Sequence, residues 1–428
     1  MKAFSKPRRW LLGAALLLIV SLTSCSNIVT GDSWAGISTD GQYIYVAYLN
    51  HVFRVNPGEV NAANARSVIR HIDWMAQASA DTSHMYAPPT KSDDGVLFVG
   101  SYDRKLYAFS LSGGLLPSWS VPTAPDKIVG SPTVSDSFVY VGMGDKGIRA
   151  YDRKTGTEKW AYTNTAYGVW SSPVVIGNTL YFASLDHYLY ALNAQTGDFL
   201  WKFDLGGAVA GNMLPVPDKG LLYIGTLGNR LVAVSIAKPQ EPEIVRSYDT
   251  RGWVWGAPIL NSTGNILYFA DLAGYVYALD ANTFKLKWEA TDTDRPGGIR
   301  GRLALGTAPK RENQELVIAG SESKYLRAYD AQTGAVAWTS AISANDRVLS
   351  DLVVIGSDVI FATLSENQLV AAFDINTGQV AWGVDYSAEK TRLQTATNVP
   401  LPTDTPKAPV TATGPAAPAA TATATSAQ

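Results

Sequence analysis

The chain has 428 residues, a formal net charge of −2, an isoelectric point near 6.1 and a hydrophobic content of 46%. This mildly acidic balance lacks the basic excess typical of nucleic-acid-binding proteins, so we expect no nucleic-acid partner. The single cysteine, Cys25, excludes an internal disulfide and a cysteine-based metal site.

The first 24 residues have the features of a signal peptide. A basic start precedes an uncharged run, residues 10–22, which is too short to cross a bilayer as a mature helix. The residues Leu-Thr-Ser-Cys at 22–25 resemble the bacterial lipobox, which implies that Cys25 carries lipid and becomes the N-terminus. Cleavage removes four positive charges and shifts the net charge from −2 to −6. The alternative is a plain secretory signal, and Sec and Tat export both remain open.

Residues 25–33 are then predicted to be a short tether. Ser26 to Ser33 spans at most about 28 Å when fully extended, so the folded body is expected close to a membrane. In a bacterium with two membranes we expect the outer membrane, facing the periplasm, because Ser26 follows the lipobox in place of the retention aspartate known in some bacteria. In a bacterium with one membrane we expect the external face of the cell membrane.

A repeat of about 44 residues fills the middle of the chain. Tryptophans recur at 74, 119, 160, 201, 288, 338 and 382, and the gap of 87 residues between two of them equals two periods, with Tyr248 predicted at the missing position. This period is typical of four-stranded propeller blades. Residues 34–388 are therefore predicted to form an all-β, eight-bladed β-propeller of four-stranded antiparallel blades. Unit four predicts strands near 173–176, 179–184, 188–193 and 199–203.

A column of small residues supports the count of eight. One Gly, Ala or Ser precedes the first strand of each unit, as expected where the innermost strands crowd around a central axis. These residues are Ala35, Ala87, Gly130, Ser171, Gly211, Gly256, Gly301 and Ser350.

The segment Leu189 to Trp201, Leu-Tyr-Ala-Leu-Asn-Ala-Gln-Thr-Gly-Asp-Phe-Leu-Trp, resembles the repeat of pyrroloquinoline-quinone-type (PQQ-like) propellers. Together with the lipobox and the blade count, it is similar to the outer-membrane assembly lipoproteins of the BamB family. That resemblance implies a non-catalytic scaffold that binds envelope proteins, among them a β-barrel assembly complex. Architecture alone does not determine function.

Two other functions compete with a scaffold. A quinone-dependent dehydrogenase is disfavoured because that family carries adjacent cysteines, which this chain lacks, so we expect no enzyme and no cofactor. A glycan-binding or cell-wall-binding module is the stronger alternative, since Trp and Tyr offer flat apolar surfaces with polar edges. Metal ligand spacings are absent from the four histidines, and we predict no metal site.

The loops that enter the first strands are predicted to carry the partner-binding face, because side chains there differ between blades. Aromatic residues and arginines are enriched at interface hot spots. The candidates are Lys127, Trp170, Arg251, Trp253, Trp255, Arg300, Arg302, Arg347 and Asp351. Solvated arginines beside tryptophans that fill the channel are the alternative. Asp103, Asp145 and Asp186 recur at one tight turn, and we interpret all three as turn residues.

The end of the chain differs in composition. Residues 389–428 are rich in Thr, Ala and Pro and nearly lack aromatic residues. Such a segment buries too little apolar surface to offset chain entropy, so it is predicted to be a disordered tail.

Overall fold

The computed structural model describes residues 35–58, 69–78, 84–238, 240–342 and 346–396. The predicted signal peptide, Cys25 and the predicted tether lie outside the described residues, as do residues 397–428. Within these ranges the chain forms the predicted eight-bladed β-propeller, with antiparallel neighbouring strands in every blade. None of the helices described there has the length and apolar character needed to span a bilayer.

The first four blades occupy residues 36–204. Blade one comprises β1 (Gly36–Thr39), β2 (Ile44–Tyr48), β3 (His51–Val55) and β4 (Ile72–Gln77). Blade two comprises β5 (Thr90–Lys91), β6 (Val96–Gly100) and β7 (Leu106–Ser110). Blade three comprises β8 (Thr133–Val134), β9 (Phe138–Gly142), β10 (Ile148–Asp152) and β11 (Glu158–Tyr162). Blade four comprises β12 (Val174–Ile176), β13 (Thr179–Ala183), β14 (Tyr188–Asn193) and β15 (Phe199–Asp204), close to the strands that unit four predicted.

The remaining four blades occupy residues 214–384. Blade five comprises β16 (Leu214–Val216), β17 (Leu221–Thr226), β18 (Arg230–Ser235) and β19 (Glu243–Asp249), with a 3-10 turn at Pro217–Lys219. Blade six comprises β20 (Ile259–Leu260), β21 (Ile266–Ala270), β22 (Tyr275–Asp280) and β23 (Leu286–Thr291). Blade seven comprises β24 (Ala304–Ala308), β25 (Gln314–Gly320), β26 (Tyr325–Asp330) and β27 (Val336–Ala341). Blade eight comprises β28 (Val353–Ile355), β29 (Asp358–Ala362), β30 (Val370–Asp374) and β31 (Val380–Val384), with a 3-10 turn at Glu366–Gln368, and helix α1 (Tyr386–Ala396) follows.

Blade two lacks a regular fourth strand. Residues 115–123 follow β7 but join it through isolated bridges, Phe109 with Leu115 and Lys105 with Thr123. Pro117 and Pro122 interrupt this segment, and proline cannot donate to a strand ladder. Trp119 is nevertheless buried, and its Nε1 donates to the Leu106 carbonyl at 3.0 Å.

The repeated tryptophan lies opposite the repeated alanine of the third strand. Trp288 pairs with Ala278, for example, and Trp201 pairs with Ala191. In blade five the residue opposite Ala233 is Arg246, so the prediction of Tyr248 at that position was wrong. The spacing alone could not separate the two positions, because Arg246 lies 45 residues after Trp201 and Tyr248 lies 47.

The small axial residues are required by contact between neighbouring blades. A Cβ atom on Gly211 would lie 1.6 Å from the Trp255 carbonyl oxygen of blade six, and one on Gly301 would lie 2.0 Å from the Ser350 oxygen of blade eight. Backbone atoms cannot move aside as a flexible side chain can, so any larger residue would push the blades apart.

Helix α1 corrects the predicted start of the disordered tail, because residues 389–396 are helical. Asp385 caps the helix, since its Oδ1 accepts the Ala388 N–H at 2.8 Å. Glu389 is buried, its side chain 4% exposed, and accepts hydrogen bonds from the Ile72 N–H at 2.8 Å and from Arg392 at 2.7 Å. The prediction used the average composition of residues 389–428, in which the helix formers of residues 389–396 are outnumbered by Thr, Ala and Pro.

Candidate partner-binding face

The loops that enter each first strand and the turns between second and third strands lie on the same side of the ring, here called the top face. The turns between first and second strands and between third and fourth strands lie on the bottom face. An axial cavity of about 130 Å³ is lined by residues from all eight entering loops. The lining includes Ala35, Tyr86, Val129, Trp170, Ala210, Trp255, Arg300 and Leu349.

Three predicted candidates meet at the centre of this cavity. The ring centroids of Trp170 and Trp255 lie 6.5 Å apart, and the Arg300 guanidinium lies 4.6 Å from the Trp255 ring. Arg300 also donates to Glu322 at 3.1 Å, which fixes the cation over the indole. The Trp170 Nε1 donates to the Gly144 carbonyl at 3.2 Å. These contacts orient the three side chains at the axis and half-bury them.

Other candidates lie farther out on the top face. Trp253 is 50% exposed, and Lys127 Nζ lies 5.3 Å from the Tyr102 ring. Arg251 is ion-paired with Glu289 at 2.5 Å. Arg347 also belongs to an entering loop and is half-buried.

Arg302 and Asp351 lie deeper, where the first strands run toward the bottom face. Arg302 lines a bottom-face opening beside Asp40 and Lys91, and Asp351 lines both that opening and the axial cavity. The Arg302 N–H donates to Asp351 Oδ1 at 2.7 Å. Arg300 therefore lines the top mouth of the channel and Arg302 lines the bottom mouth. The sequence analysis had predicted both residues at the centre of one face.

Sequence reasoning missed two exposed tyrosines of the top face. Tyr167 is 63% exposed on the loop after β11, and Tyr102 is 36% exposed on a turn of blade two. Burial of part of the Tyr102 ring and the nearby Tyr86 and Asp126 raise the pKa of its phenol, so it remains a hydrogen-bond donor. Both positions depart from the repeat, and that departure was the available signal.

The recurring turn aspartates divide into two kinds. Asp103 and Asp186 accept hydrogen bonds from tyrosines of the third strand, Tyr107 at 2.5 Å and Tyr190 at 2.8 Å. The Asp145 side chain contacts the N–H of the next residue at 2.5 Å, as a turn residue does. The interpretation as turn residues therefore describes Asp145 fully, whereas the other two also join a turn to a strand.

The eight blades, their tryptophan repeat and the axial cavity define the class of PQQ-like β-propellers. A family model described as "Outer membrane protein assembly factor BamB" matches residues 58–201 and 185–399. The chain belongs to this family.

The chain is also similar to curated enzymes and to a solved structure. Tetrathionate hydrolase of Acidithiobacillus ferrooxidans is 23% identical over 252 residues, covering 51% of this chain and 49% of the relative. Methanol dehydrogenase [cytochrome c] subunit 1 of Methylobacterium organophilum is 34% identical over 86 residues, covering 20% of this chain and 13% of the relative. The chain thus spans about half or less of these curated relatives. BamB from Moraxella catarrhalis superposes with a TM-score of 0.57 and 16% identity, covering 80% of this chain and 94% of that one.

The residues at the axis do not fit a quinone cofactor. The axial cavity of about 130 Å³ is smaller than the roughly 300–1,000 Å³ of most small-molecule sites, and blade backbones approach too closely there for it to widen. No group of three or more His, Cys, Asp or Glu within the described ranges is arranged to hold a metal ion. The single cysteine of the chain also excludes an adjacent-cysteine pair.

Proposed function

We propose that this chain is an exported lipoprotein, anchored through Cys25, whose propeller is a non-catalytic scaffold for envelope proteins, as in outer-membrane protein assembly. The observation that carries the proposal is the BamB family match over residues 58–399. The lipobox resemblance at residues 22–25 supports the anchor.

The top face is the surface that we assign to the partner. Trp253 and Tyr167 expose large aromatic surfaces there, and Arg251 and Lys127 add cations beside them. Aromatic residues and arginines supply much of the binding energy at protein interfaces. The mixture of apolar rings and charges suits a protein surface better than it suits nucleic acid, whose binding needs an excess of cations.

The test is a crosslinking pulldown of the full-length protein from its native membrane, followed by mass spectrometry. We expect a β-barrel assembly protein among the captured proteins. Trp253→Ser with Tyr167→Ser should reduce its capture at least about tenfold. The double change removes two exposed aromatic side chains that would contact the partner, and it removes no contact from the core of the propeller. Arg302→Glu, which changes the opposite mouth of the channel, is the matched control and should capture the partner normally. Equal capture by all variants would reject the top face, and the absence of any envelope protein would reject the scaffold.

A second experiment examines the anchor. Cys25→Ser should abolish incorporation of labelled palmitate and move the protein from the membrane fraction to the soluble fraction, because two or three acyl chains provide stable anchoring. Retention of the variant in the membrane would contradict lipidation at Cys25.

A third experiment examines the alternative of a quinone-dependent dehydrogenase. Purified protein supplied with pyrroloquinoline quinone and calcium is expected to show no alcohol oxidation.

A further inference from the structure

An open recess of about 460 Å³ lies on the outer part of the top face at blade four, apart from the axial cavity. The loop after β11, the turn between β13 and β14, and strand β15 form its walls. Its principal side chains are Thr163, Asn164, Tyr167, His187, Tyr188 and Lys202. The volume falls within the range of about 300–1,000 Å³ that small-molecule sites occupy. We call this the blade-four recess.

Asp186 forms the floor of the recess, and its carboxylate is already hydrogen-bonded. Asp186 is 2% exposed and accepts hydrogen bonds from the Ala166 N–H and the Tyr190 hydroxyl, each at 2.8 Å, and from the Tyr188 N–H at 3.2 Å. Lys202, by contrast, is exposed and forms no ion pair with any described residue. Lys202 therefore has no ion-pair partner among the described residues, although the hydrogen-bonded carboxylate of Asp186 lines the same recess.

Blade six shows how the same place is filled elsewhere in the ring. Strand register places Glu289 opposite Tyr277 and Lys202 opposite Tyr190, so the two residues are equivalent. Arg251 is equivalent to Ala166, because each donates its backbone N–H to the turn aspartate of its blade.

In blade six Arg251 and Glu289 form an ion pair at 2.5 Å, and the guanidinium lies 4.5 Å from the Tyr275 ring centroid. In blade four Lys202 Nζ lies 4.4 Å from the Tyr188 ring centroid, so a cation over the tyrosine is retained. Lys202 takes the position of Glu289, so blade four lacks the carboxylate of the blade-six ion pair. Ala166 takes the position of Arg251, and its small side chain leaves the space of the guanidinium open. A ligand that reproduces the blade-six ion pair in this recess would bring its own carboxylate.

From this comparison we infer that the blade-four recess binds an acidic sugar, a saccharide unit that carries a carboxylate. The carboxylate pairs with Lys202. The exposed Tyr167 ring offers a flat apolar surface to the sugar ring, and the exposed Thr163 and Asn164 side chains offer hydrogen bonds to its hydroxyl groups. This site shares Tyr167 with the surface assigned to the protein partner, but Lys202, Thr163 and Asn164 have no part in that assignment, so failure of sugar binding would leave the scaffold proposal standing.

The test transplants the blade-six pair into blade four. Full-length protein in detergent is titrated with N-acetylmuramic acid, with N-acetylglucosamine, which lacks the carboxylate, and with acetate, which lacks the sugar. Saturation-transfer NMR and calorimetry report binding. We expect the acid sugar to bind at least about tenfold more tightly than either partial probe, since each lacks one of the two interactions.

Ala166→Arg with Lys202→Glu fills the recess with its own ion pair and should abolish binding while thermal stability is maintained. The reciprocal control, Arg251→Ala with Glu289→Lys, opens blade six and should leave binding at blade four unchanged or add a second site. Unchanged binding by the filled variant, equal binding of acetate and the acid sugar, or no binding by the wild type would each overturn the inference.

Discussion

The interfaces between successive blades and the seam between blades eight and one are built differently. At the interfaces that follow blades three, six and seven, a tryptophan donates its Nε1 to a carbonyl of the next blade: Trp160 to Ala194 at 3.2 Å, Trp288 to Ala331 at 3.0 Å and Trp338 to Ile375 at 2.8 Å. At the seam Trp382 donates to Asp358 of its own blade at 2.6 Å. Trp382 therefore makes no such hydrogen bond across the seam.

Segments outside the repeat close the seam. Residue 69 forms a parallel bridge to Gly383, and the Arg70 N–H donates to the Gly383 carbonyl at 2.8 Å. Helix α1 contributes buried Tyr386, whose hydroxyl contacts His51 Nδ1 at 3.1 Å, and Glu389. All four strands of blade one come from the start of the described chain and all four of blade eight from its end, so among the described strands no blade combines the two ends. A helix and a bridge hold the ring closed instead.

Removing Glu389 is expected to have the largest effect on this seam. Glu389→Ala should lower the free energy of unfolding by about 3 kcal/mol, because it leaves the Ile72 N–H without its buried acceptor and removes the ion pair with the half-exposed Arg392. Chemical denaturation measures the change. Thr391→Ala, an exposed change on the same helix, is the control and should cost less than about 0.5 kcal/mol. Equal losses would mean that the helix does not close the ring.

Acid is expected to lower the free energy of unfolding through His51, which lies at the seam between blades eight and one. Burial disfavours the charged imidazole and, with Lys390 nearby, lowers the pKa of His51 from 6.5 to about 4. Below pH 6.5 the unfolded chain binds a proton that the folded chain excludes, so stability falls as the pH decreases toward 4. Between pH 7 and pH 5 the loss from this group should be about 2 kcal/mol.

His51→Gln should remove most of that pH dependence in denaturation measured at both pH values. The Glu389 carboxyl does not share this window, because Arg392, His71 and the Ile72 N–H outweigh its burial and lower its pKa. The same loss in wild type and variant would assign the pH dependence to another group.

The smallest effect is expected from a substitution that restores the repeated tryptophan in blade five. Arg246→Trp should raise the free energy of unfolding by about 1 kcal/mol, because an indole opposite Ala233 would bury apolar surface and replace the existing bond from Arg246 to the Asn282 carbonyl. Tyr248→Trp is the matched control at the position that spacing had indicated. It enlarges a ring already in contact with Phe269 and Tyr277 and should give no gain. A gain at 248 and none at 246 would contradict the register.

The sequence predicted the fold because each blade is a local unit. Turn residues and alternating apolar positions determine four neighbouring strands, and the strands of blade four lie within one residue of their predicted bounds. Predictions failed where a contact came from elsewhere in the chain. Glu389 accepts a hydrogen bond from Ile72, which is 317 residues away in the chain. No local sequence pattern predicts that hydrogen bond.

The candidate face was predicted in part for the same reason. Variable entering loops pointed to Trp255 and Arg300, which do lie at one axial mouth. Their distance from Arg302 in space depends on the chain turning into the channel at Gly301, where the neighbouring blade approaches to 2.0 Å of a Cβ position. Spacing along the chain gives no measure of that turn.

The sequence by itself determined the number of blades, their strands and the small residues at the axis, because these follow from short-range periodicity repeated eight times. Only the tertiary structure decided how the ring closes, which residue takes the tryptophan position in blade five, and why blade four keeps a recess that blade six fills. Those features depend on side chains brought together from distant strands, and their energies arise from burial and charge pairing that exist only in the closed ring.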